Sequence, residues 1–134
     1  MGIRVAGLND LEKIAKYAKH ISLNQLKISI SQRQVFIAEE NNRFVGWLRY
    51  NLFWDNTPFM NLLFVLQPFR GRGVGKSLVL YFEKEMKDAG FECVMTSTSS
   101  TETAKYFYEK LGYKDVGGFS YLSDPYEIIY LKKL

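Results

Sequence analysis

Apolar residues recur along this chain with two different spacings, and each spacing predicts one type of secondary structure. Met60–Leu66 is an apolar run of the kind that forms a buried strand. After Gly73 the apolar side chains return every third or fourth residue, as on one face of a helix, and Gly90 is placed to end that helix. The residues of that face are Val74, Leu78, Phe82, Met86 and Ala89. The pattern predicts a strand, a turn and an amphipathic helix over residues 60–90.

The N-terminal residues predict a short strand followed by two helices. Ile3 and Val5 indicate the strand, and Asn9 or Asp10 can cap a first helix that ends at His20. The apolar stripe of that helix is Leu11, Ile14, Ala15 and Ala18. A second helix is expected over Leu23–Gln32, with Leu23, Leu26 and Ile30 facing inward.

Two strands joined by a tight turn are predicted next, at Gln34–Glu40 and Arg43–Trp54. Asn41-Asn42 is a good pair for the turn between them. Gly46 within the second strand indicates a bulge or close packing. One face of that strand is expected to hold alternate residues, namely Phe44, Gly46, Leu48, Tyr50, Leu52 and Trp54. A turn at residues 55–58 then leads into Met60–Leu66, which gives an antiparallel meander.

The C-terminal third predicts a strand, a helix and two further strands. Cys93–Thr98 must run parallel to Met60–Leu66, because a helix crosses over between them. Ser99 and Glu102 have capping-box spacing for the next helix, which Gly112 stops. The apolar face of that helix is Ala104, Phe107, Tyr108 and Leu111. Strands are expected near Tyr113–Val116 and at Tyr126–Leu131, separated by a break at Gly117-Gly118 and a loop through Asp124-Pro125.

The predicted element order is β-α-α-β-β-β-α-β-α-β-β. It corresponds to an α/β (α+β) fold with a mixed, mostly antiparallel sheet of about seven strands and helices on both faces. Hydrophobic residues make up 47% of the chain and aromatic residues 16%, which argues against disorder. We expect one domain over residues 1–134.

The number of cysteines and the hydropathy of the chain indicate the cellular compartment of the protein. Cys93 is the single cysteine, which excludes a disulfide framework and fits a buried structural thiol in a reducing compartment. No apolar run approaches the roughly 20 residues that span a bilayer. The N-terminus lacks the apolar segment of a signal peptide. We therefore expect a cytoplasmic protein without a membrane partner.

Three alternating glycines, at positions 71, 73 and 75, stand where the strand meets the long helix. Glycine lets the backbone come close to a ligand, and the first N–H groups of a helix point out of its N-terminus. Together with the helix dipole, Arg70, Arg72 and Lys76 make this turn suitable for phosphate-like anions. These few cations also account for much of the net charge of +4. Because the other lysines and arginines are scattered, we expect no nucleic-acid partner.

The spacing of the turn separates three families of phosphate-binding loops. A Walker A loop requires glycine where Arg70 stands, so Gly75-Lys76-Ser77 alone does not satisfy it. A dinucleotide-binding loop requires G-x-G-x-x-G, whereas this chain has G-x-G-x-G. The third pattern, Arg/Gln-x-x-Gly-x-Gly/Ala, is met by Arg70, Gly73 and Gly75. It resembles the acyl-CoA loop of the GNAT superfamily of N-acetyltransferases.

A second block supports this resemblance. Residues 104–113, Ala-Lys-Tyr-Phe-Tyr-Glu-Lys-Leu-Gly-Tyr, are similar to the A-x-x-F-Y-E-K-L-G-F block that follows the fifth strand in that superfamily. The two blocks stand about 30 residues apart, in the order the family shows. The resemblance covers residues 60–113, and the N-terminal third matches only in outline.

The resemblance implies that acetyl-CoA is the co-substrate and that no metal is needed. Acetyl-CoA would lie between Met60–Leu66 and Cys93–Thr98, with the acceptor amine attacking its thioester directly. The matching positions imply pantetheine contacts at Leu63, Phe64, Val65 and Thr101. They also imply pyrophosphate contacts at Arg70, Gly71, Arg72, Gly73, Val74, Gly75 and Lys76. Tyr108 matches the tyrosine that protonates the leaving thiolate, and a phenol with a pKa of about 10 is protonated at neutral pH.

Two positions depart from the family pattern. The glutamate that serves many relatives as general base is replaced by Phe59, and no carboxylate lies between Phe59 and Leu66. Asp55, a water held by Asn61, and His20 are the alternatives for this base. Thr101 occupies the position of a frequent asparagine and can still form a hydrogen bond.

Several questions of function stay open at the level of the sequence. The expected activity is N-acetylation of a primary amine, on a small molecule or a peptide, by a monomer or homodimer. A non-catalytic acyl-CoA-binding domain is the alternative. Asp124 and Glu127 are acidic residues that could attract a cationic amine. Aromatic residues that could line the acceptor pocket are Trp47, Tyr50, Trp54, Phe119 and Tyr121.

Overall fold

The computed structural model describes residues 1–134, which form seven strands, four α-helices and two short 3-10 turns. The strands are β1 (Gly2–Val5), β2 (Val35–Glu40), β3 (Arg43–Phe53), β4 (Thr57–Val65), β5 (Cys93–Ser99), β6 (Lys114–Phe119) and β7 (Glu127–Lys133). The helices are α1 (Leu11–Ala15), α2 (Leu23–Ser31), α3 (Val74–Asp88) and α4 (Ala104–Lys110). The predicted element order and mixed fold class are confirmed.

All seven strands belong to one sheet, in the order β1-β2-β3-β4-β5-β7-β6. The central pair β4 and β5 is parallel, and every other neighbouring pair is antiparallel. Parallel pairing follows from the α3 crossover, since a helix between two strands returns the chain to its starting edge. The parallel pair therefore lies in the middle of the sheet, next to the glycine turn.

A hydrophobic core lies on each face of the sheet. The larger core includes Leu78, Phe82 and Met86 of α3, all at most 4% exposed, packed on β2–β5. The smaller core joins α1 and α2 to the opposite face through Ile14, Leu26 and Ile30 and the buried Trp47 of β3. Both cores follow from the helical spacing of apolar residues.

The side chains of β3 are not distributed between the two faces of the sheet as expected, because the strand contains a bulge. The register with β2 shifts between Ala38 and Glu39, so that Gly46 pairs with Ala38 and Phe44 with Glu39. Because a bulge inserts one residue, the side-chain alternation changes phase there. Phe44 consequently packs in the smaller core with Trp47, while Tyr50 packs beside the larger core against Phe82, with ring centroids 5.2 Å apart. A side chain at Gly46 would lie 2.8 Å from the Phe64 carbonyl, so this strand position requires glycine.

The N-terminal helices differ from their predicted bounds. α1 ends at Ala15 rather than His20, and the aromatic rings that follow it pack on aromatic residues of β3 and β4. There the Tyr17 ring stacks on Phe44 at 5.4 Å and on Phe64 at 5.8 Å. Ser22 caps α2, and Leu23, which was expected to face inward, is 60% exposed. Tertiary packing thus overrides the helical pattern here.

Two C-terminal predictions are also wrong in detail. Ser99 does not cap α4, because it is the last residue of β5 and pairs with Glu127 of β7. The helix begins five residues later, at Ala104. β6 continues through Gly117-Gly118, where a break was expected, by means of a bulge between Asp115 and Gly117. A side chain at Gly118 would overlap the carbonyl of Glu127, which explains the glycine there.

Candidate active site

The two parallel strands separate soon after they meet. β4 and β5 pair only at Phe59 with Met95 and at Met60 with Thr96, and the Thr96 hydroxyl donates a 2.9 Å hydrogen bond to the Met60 carbonyl. At the same point β4 contains a bulge opposite β3, which leaves Asn61 without a paired residue. Bulges bend the strand that carries them, and they are common beside active sites. An opening in the middle of the sheet follows.

A cavity of about 280 Å³ occupies this opening. Its walls come from β4, β5 and α4 and consist of Met60, Asn61, Leu62, Leu63, Thr96, Ser97, Thr98, Ala104 and Tyr108. Tyr108 is 7% exposed and belongs to the wall. Burial raises the pKa of its hydroxyl above the ordinary value, and the nearby Thr96 hydroxyl partly offsets this effect. The phenol is therefore protonated at neutral pH.

A larger cavity, of about 460 Å³, lies where β4 ends and α3 begins. Leu63 lines both cavities, so the two adjoin. The larger one is lined by Leu63, Phe64, Val65, Phe69, Arg70, Gly71, Gly73, Val74, Gly75, Lys76 and Phe107. One end is apolar and the other cationic, which suits a long ligand with an apolar arm and an anionic end.

The cationic end presents unused backbone donors. None of the amides of residues 71–76 donates to a backbone carbonyl. Gly73, the residue before α3, has a left-handed backbone with φ +84° and no capping side chain. Consecutive free N–H groups at a helix N-terminus form a cradle for phosphate oxygens. Gly75 keeps the cradle open, because a Cβ there would point toward Leu63, Val65 and Phe107 at 3.8 Å.

The three cations of the turn are arranged differently from one another. The Arg70 Nε donates to the Val65 carbonyl at 2.8 Å, and its guanidinium lies 5.6 Å from the Phe64 ring centre. Arg70 therefore ties the end of β4 to the turn. Arg72 pairs with Glu40 at 3.3 Å. Lys76 is exposed and lines the cavity.

Most of the site residues predicted from the sequence surround these two cavities. Two do not line either cavity: Arg72 bonds to Glu40, and the Thr101 hydroxyl lies 2.9 Å from the Ser99 hydroxyl on the surface. Sequence reasoning missed Phe107 as part of the cavity wall and Asn61 as the bulge residue. The asparagine within an apolar run was a signal for the bulge, since a polar side chain there has to leave the core.

The aromatic residues expected at an acceptor pocket divide among three places. Trp47 is fully buried under α1 and α2, and Trp54 is 79% exposed in the turn after β3. Tyr50 is in contact with the opposite core, where it packs against Phe82. Phe119 and Tyr121 line a separate cavity of about 270 Å³, together with Ser97, Asp124, Pro125 and Glu127. Ser97 also lines the opening, so this acidic loop lies beside it.

The geometry reduces the number of candidates for the general base. Asp55 is in the turn before β4, and the four steps along the strand from Thr57 to Asn61 alone span about 13 Å. Asp55 is therefore too far from the opening. The His20 ring lies 6.3 Å from the Trp47 ring, and burial together with the charge of Arg49 lowers its pKa. A neutral imidazole can accept a proton.

Comparison with known proteins agrees with this geometry. The sequence profile of the acetyltransferase (GNAT) family matches residues 7–113. No curated protein sequence matches significantly. No helix is long and apolar enough to cross a membrane, and no group of three or more His, Cys, Asp or Glu side chains is placed to hold a metal ion.

Three solved structures illustrate the structural similarity. A GNAT-family acetyltransferase from Bacillus cereus shares 26% identity, with a TM-score of 0.81 over 98% of this chain and 96% of its own. A PaiA N-acetyltransferase from Thermoplasma acidophilum, solved with coenzyme A, shares 20% identity, with a TM-score of 0.81 over 99% of this chain and 98% of its own. A ribosomal-protein-alanine N-acetyltransferase from Brucella melitensis shares 17% identity, with a TM-score of 0.84 over the full length of both chains.

Proposed function

Since the chain belongs to the GNAT family of acetyltransferases, we propose that residues 1–134 form one domain that transfers the acetyl group of acetyl-CoA to a primary amine. The observation that carries the proposal is the opening between β4 and β5, which adjoins the cavity at the α3 N-terminus and has Tyr108 in its wall. A cytoplasmic location and a reaction without a metal are part of this proposal. The acceptor amine belongs to a small molecule or to a peptide.

The cradle at the α3 N-terminus fits the CoA pyrophosphate. The unused amides of residues 71–76, the helix dipole and Lys76 are all complementary to its negative charge. The apolar end of the same cavity, with Leu63, Val65 and Phe107, fits the pantetheine arm. Acetyl-CoA would supply an activated acetyl thioester there.

The chemistry requires a neutral amine, its correct position and a proton for the departing sulfur. In the balanced reaction, a bond forms between the amine nitrogen and the acetyl carbon, and the bond from that carbon to sulfur breaks. The nitrogen loses one proton, to His20 or to a water held at Asn61. The sulfur gains one proton, from the Tyr108 hydroxyl.

A non-catalytic acyl-CoA-binding domain is the second candidate, and one specific observation favours it. Phe59 stands where many relatives have a glutamate that acts as the general base, and no carboxylate side chain lines the opening. Two measurements separate the candidates: calorimetry of CoA binding, and thiol release from acetyl-CoA with a broad panel of amines. For an acetyltransferase we expect both CoA binding and thiol release. CoA binding without thiol release for any amine would favour the binding domain, and absence of CoA binding would overturn both candidates.

A further inference from the structure

Arg49 is a charged residue that is partly buried in the sheet. It lies in the middle of β3, between Val35 of β2 and Leu62 of β4. The other five arginines of the chain are exposed, whereas Arg49 is only partly accessible. Its buried Nε has no hydrogen-bond partner. Burial lowers its pKa, and no carboxylate lies close enough to compensate for the lost hydration. A buried charge normally has such a partner.

A second unpaired donor lies near Arg49. Trp47, two residues away on the same face, is fully buried, and its indole N–H also has no partner. His20 lies beside both residues and is neutral at neutral pH, because burial and the Arg49 charge lower its pKa. Two buried donors on this face of the sheet therefore lack an acceptor.

The location of Arg49 connects its unpaired donor to the proposed reaction. Its cross-strand neighbour Leu62 lines the opening between β4 and β5. Directly paired residues in neighbouring strands have Cα atoms about 5 Å apart. The cradle for CoA and helix α3 lie toward the other face of the sheet, so a second reactant approaches the opening from the face of α1, α2 and Arg49.

We propose that the acceptor amine of this enzyme carries a carboxylate and that Arg49 binds it. This inference rests on the proposed acetyltransferase function. A guanidinium donates two parallel hydrogen bonds to one carboxylate. Because a carboxylate carries a single negative charge, one guanidinium is sufficient to balance it. A phosphate dianion would call for a second cation, which a neutral His20 does not provide. The acceptor is thus an amino-acid-like molecule, with its amine at the opening and its carboxylate at Arg49.

The test compares pairs of amines that differ only in this group. Acetylation is measured by thiol release at saturating acetyl-CoA, with a series of amino acids and their matching carboxamides. We expect wild-type kcat/KM to favour carboxylates by roughly tenfold or more, which corresponds to about 1.4 kcal/mol. Arg49→Gln should remove this preference, and Arg49→Lys should retain part of it. Arg43→Gln, at an exposed arginine of the same strand, is the matched control and should keep the preference.

The outcomes distinguish this inference from the function on which it rests. Acetylation of amines without a carboxylate preference, or a preference that survives in a folded Arg49→Gln, would overturn the role of Arg49 and leave the acetyltransferase intact. An equal preference for amines that carry a phosphonate would overturn the assignment to carboxylates. Failure of every amine would count against the proposed function itself. The wild-type comparison needs no variant, so it tests the carboxylate preference even if Arg49→Gln does not fold.

Discussion

At the scale of single residues, Tyr108 is the general acid of the proposed reaction, and its phenol is protonated at neutral pH. Tyr108 lines the opening, and Phe107 beside it lines the larger cavity. We predict that Tyr108→Phe lowers kcat by about 10²-fold, because only the transferable proton is removed. CoA affinity and melting temperature should stay unchanged. Tyr106→Phe, at the 56% exposed neighbour, is the control. A wild-type rate in Tyr108→Phe would mean that the thiolate takes its proton from water.

The pKa of Tyr108 leads to a prediction about alkaline pH. Because burial raises this pKa above the ordinary value of about 10, the phenol keeps its proton to higher pH than a free tyrosine does. A general acid acts only while protonated. The rate should therefore hold beyond pH 10 and fall only as Tyr108 ionises, provided that the fold persists. A kcat profile against pH measures this. If the alkaline fall in kcat occurs at the same pH in Tyr108→Phe, it arises from the ionisation of another group.

Cys93 lies outside the opening between β4 and β5. It begins β5, and the opening starts only after Thr96, about 10 Å further along the strand. The thiol lines a different cavity, with residues of the turn before β4. We predict that Cys93→Ala retains most of the turnover in the thiol-release assay. An acetylated Cys93 in the mass spectrum of the enzyme would contradict this.

At the scale of elements, we expect the N-terminus of α3 to decide whether CoA binds. Gly75→Val would place a branched side chain among Leu63, Val65 and Phe107, inside the cavity. Gly73→Val would add left-handed strain, of about 1–2 kcal/mol, at φ +84° and fill open space that belongs to the cavity. We predict that calorimetry detects no CoA binding in either variant.

A control for strain is available at the other end of the same helix. Gly90 also has a left-handed backbone, with φ +94°, and an added Cβ would meet no atom within 4 Å. Gly90→Val therefore carries a similar backbone cost away from the cradle, and CoA affinity should persist. If Gly73→Val and Gly75→Val bind CoA like the wild type, the cradle is not its site.

At the scale of the whole molecule, a buried network ties α3 to the last strand. Glu83 of α3 is 8% exposed and accepts hydrogen bonds from the Tyr113 hydroxyl at 2.8 Å and from the Lys132 Nζ at 2.9 Å. We predict that Lys132→Met lowers the free energy of unfolding by about 1–3 kcal/mol, because the Glu83 charge loses its cation. Urea denaturation measures the change.

The matched control is an ion pair on the surface of the same helix. Lys84 and Asp88 form a 2.7 Å pair in which both side chains are more than half exposed. Exposed pairs contribute little to stability, because water screens their charges. Asp88→Ala should leave the free energy of unfolding almost unchanged. An equal loss in the free energy of unfolding for Lys132→Met and Asp88→Ala would show that burial does not determine how much the Glu83 network stabilises the protein.

Local patterns in the chain were enough to predict the elements, their order and the glycine turn at the α3 N-terminus. Apolar spacing marked α3 and β4 because burial of an apolar face is a local property of the chain. The alternating glycines marked the phosphate cradle, since only backbone without side chains can approach a ligand there. The crossover also required β4 and β5 to be parallel.

The faces that side chains occupy after the bulges, and the charges that remain unpaired, depend on how distant parts of the chain pack together. Gly46 indicated the β3 bulge in the sequence, but the face that each later residue of β3 and β4 occupies follows from how the strands pair. The bulges sent Phe44 and Tyr50 to opposite cores and opened the sheet at Asn61. Arg49 looks like any arginine in the sequence. Its lack of a partner depends on what β2, β4 and α2 bring beside it, because electrostatic pairing acts between residues that are distant in the chain.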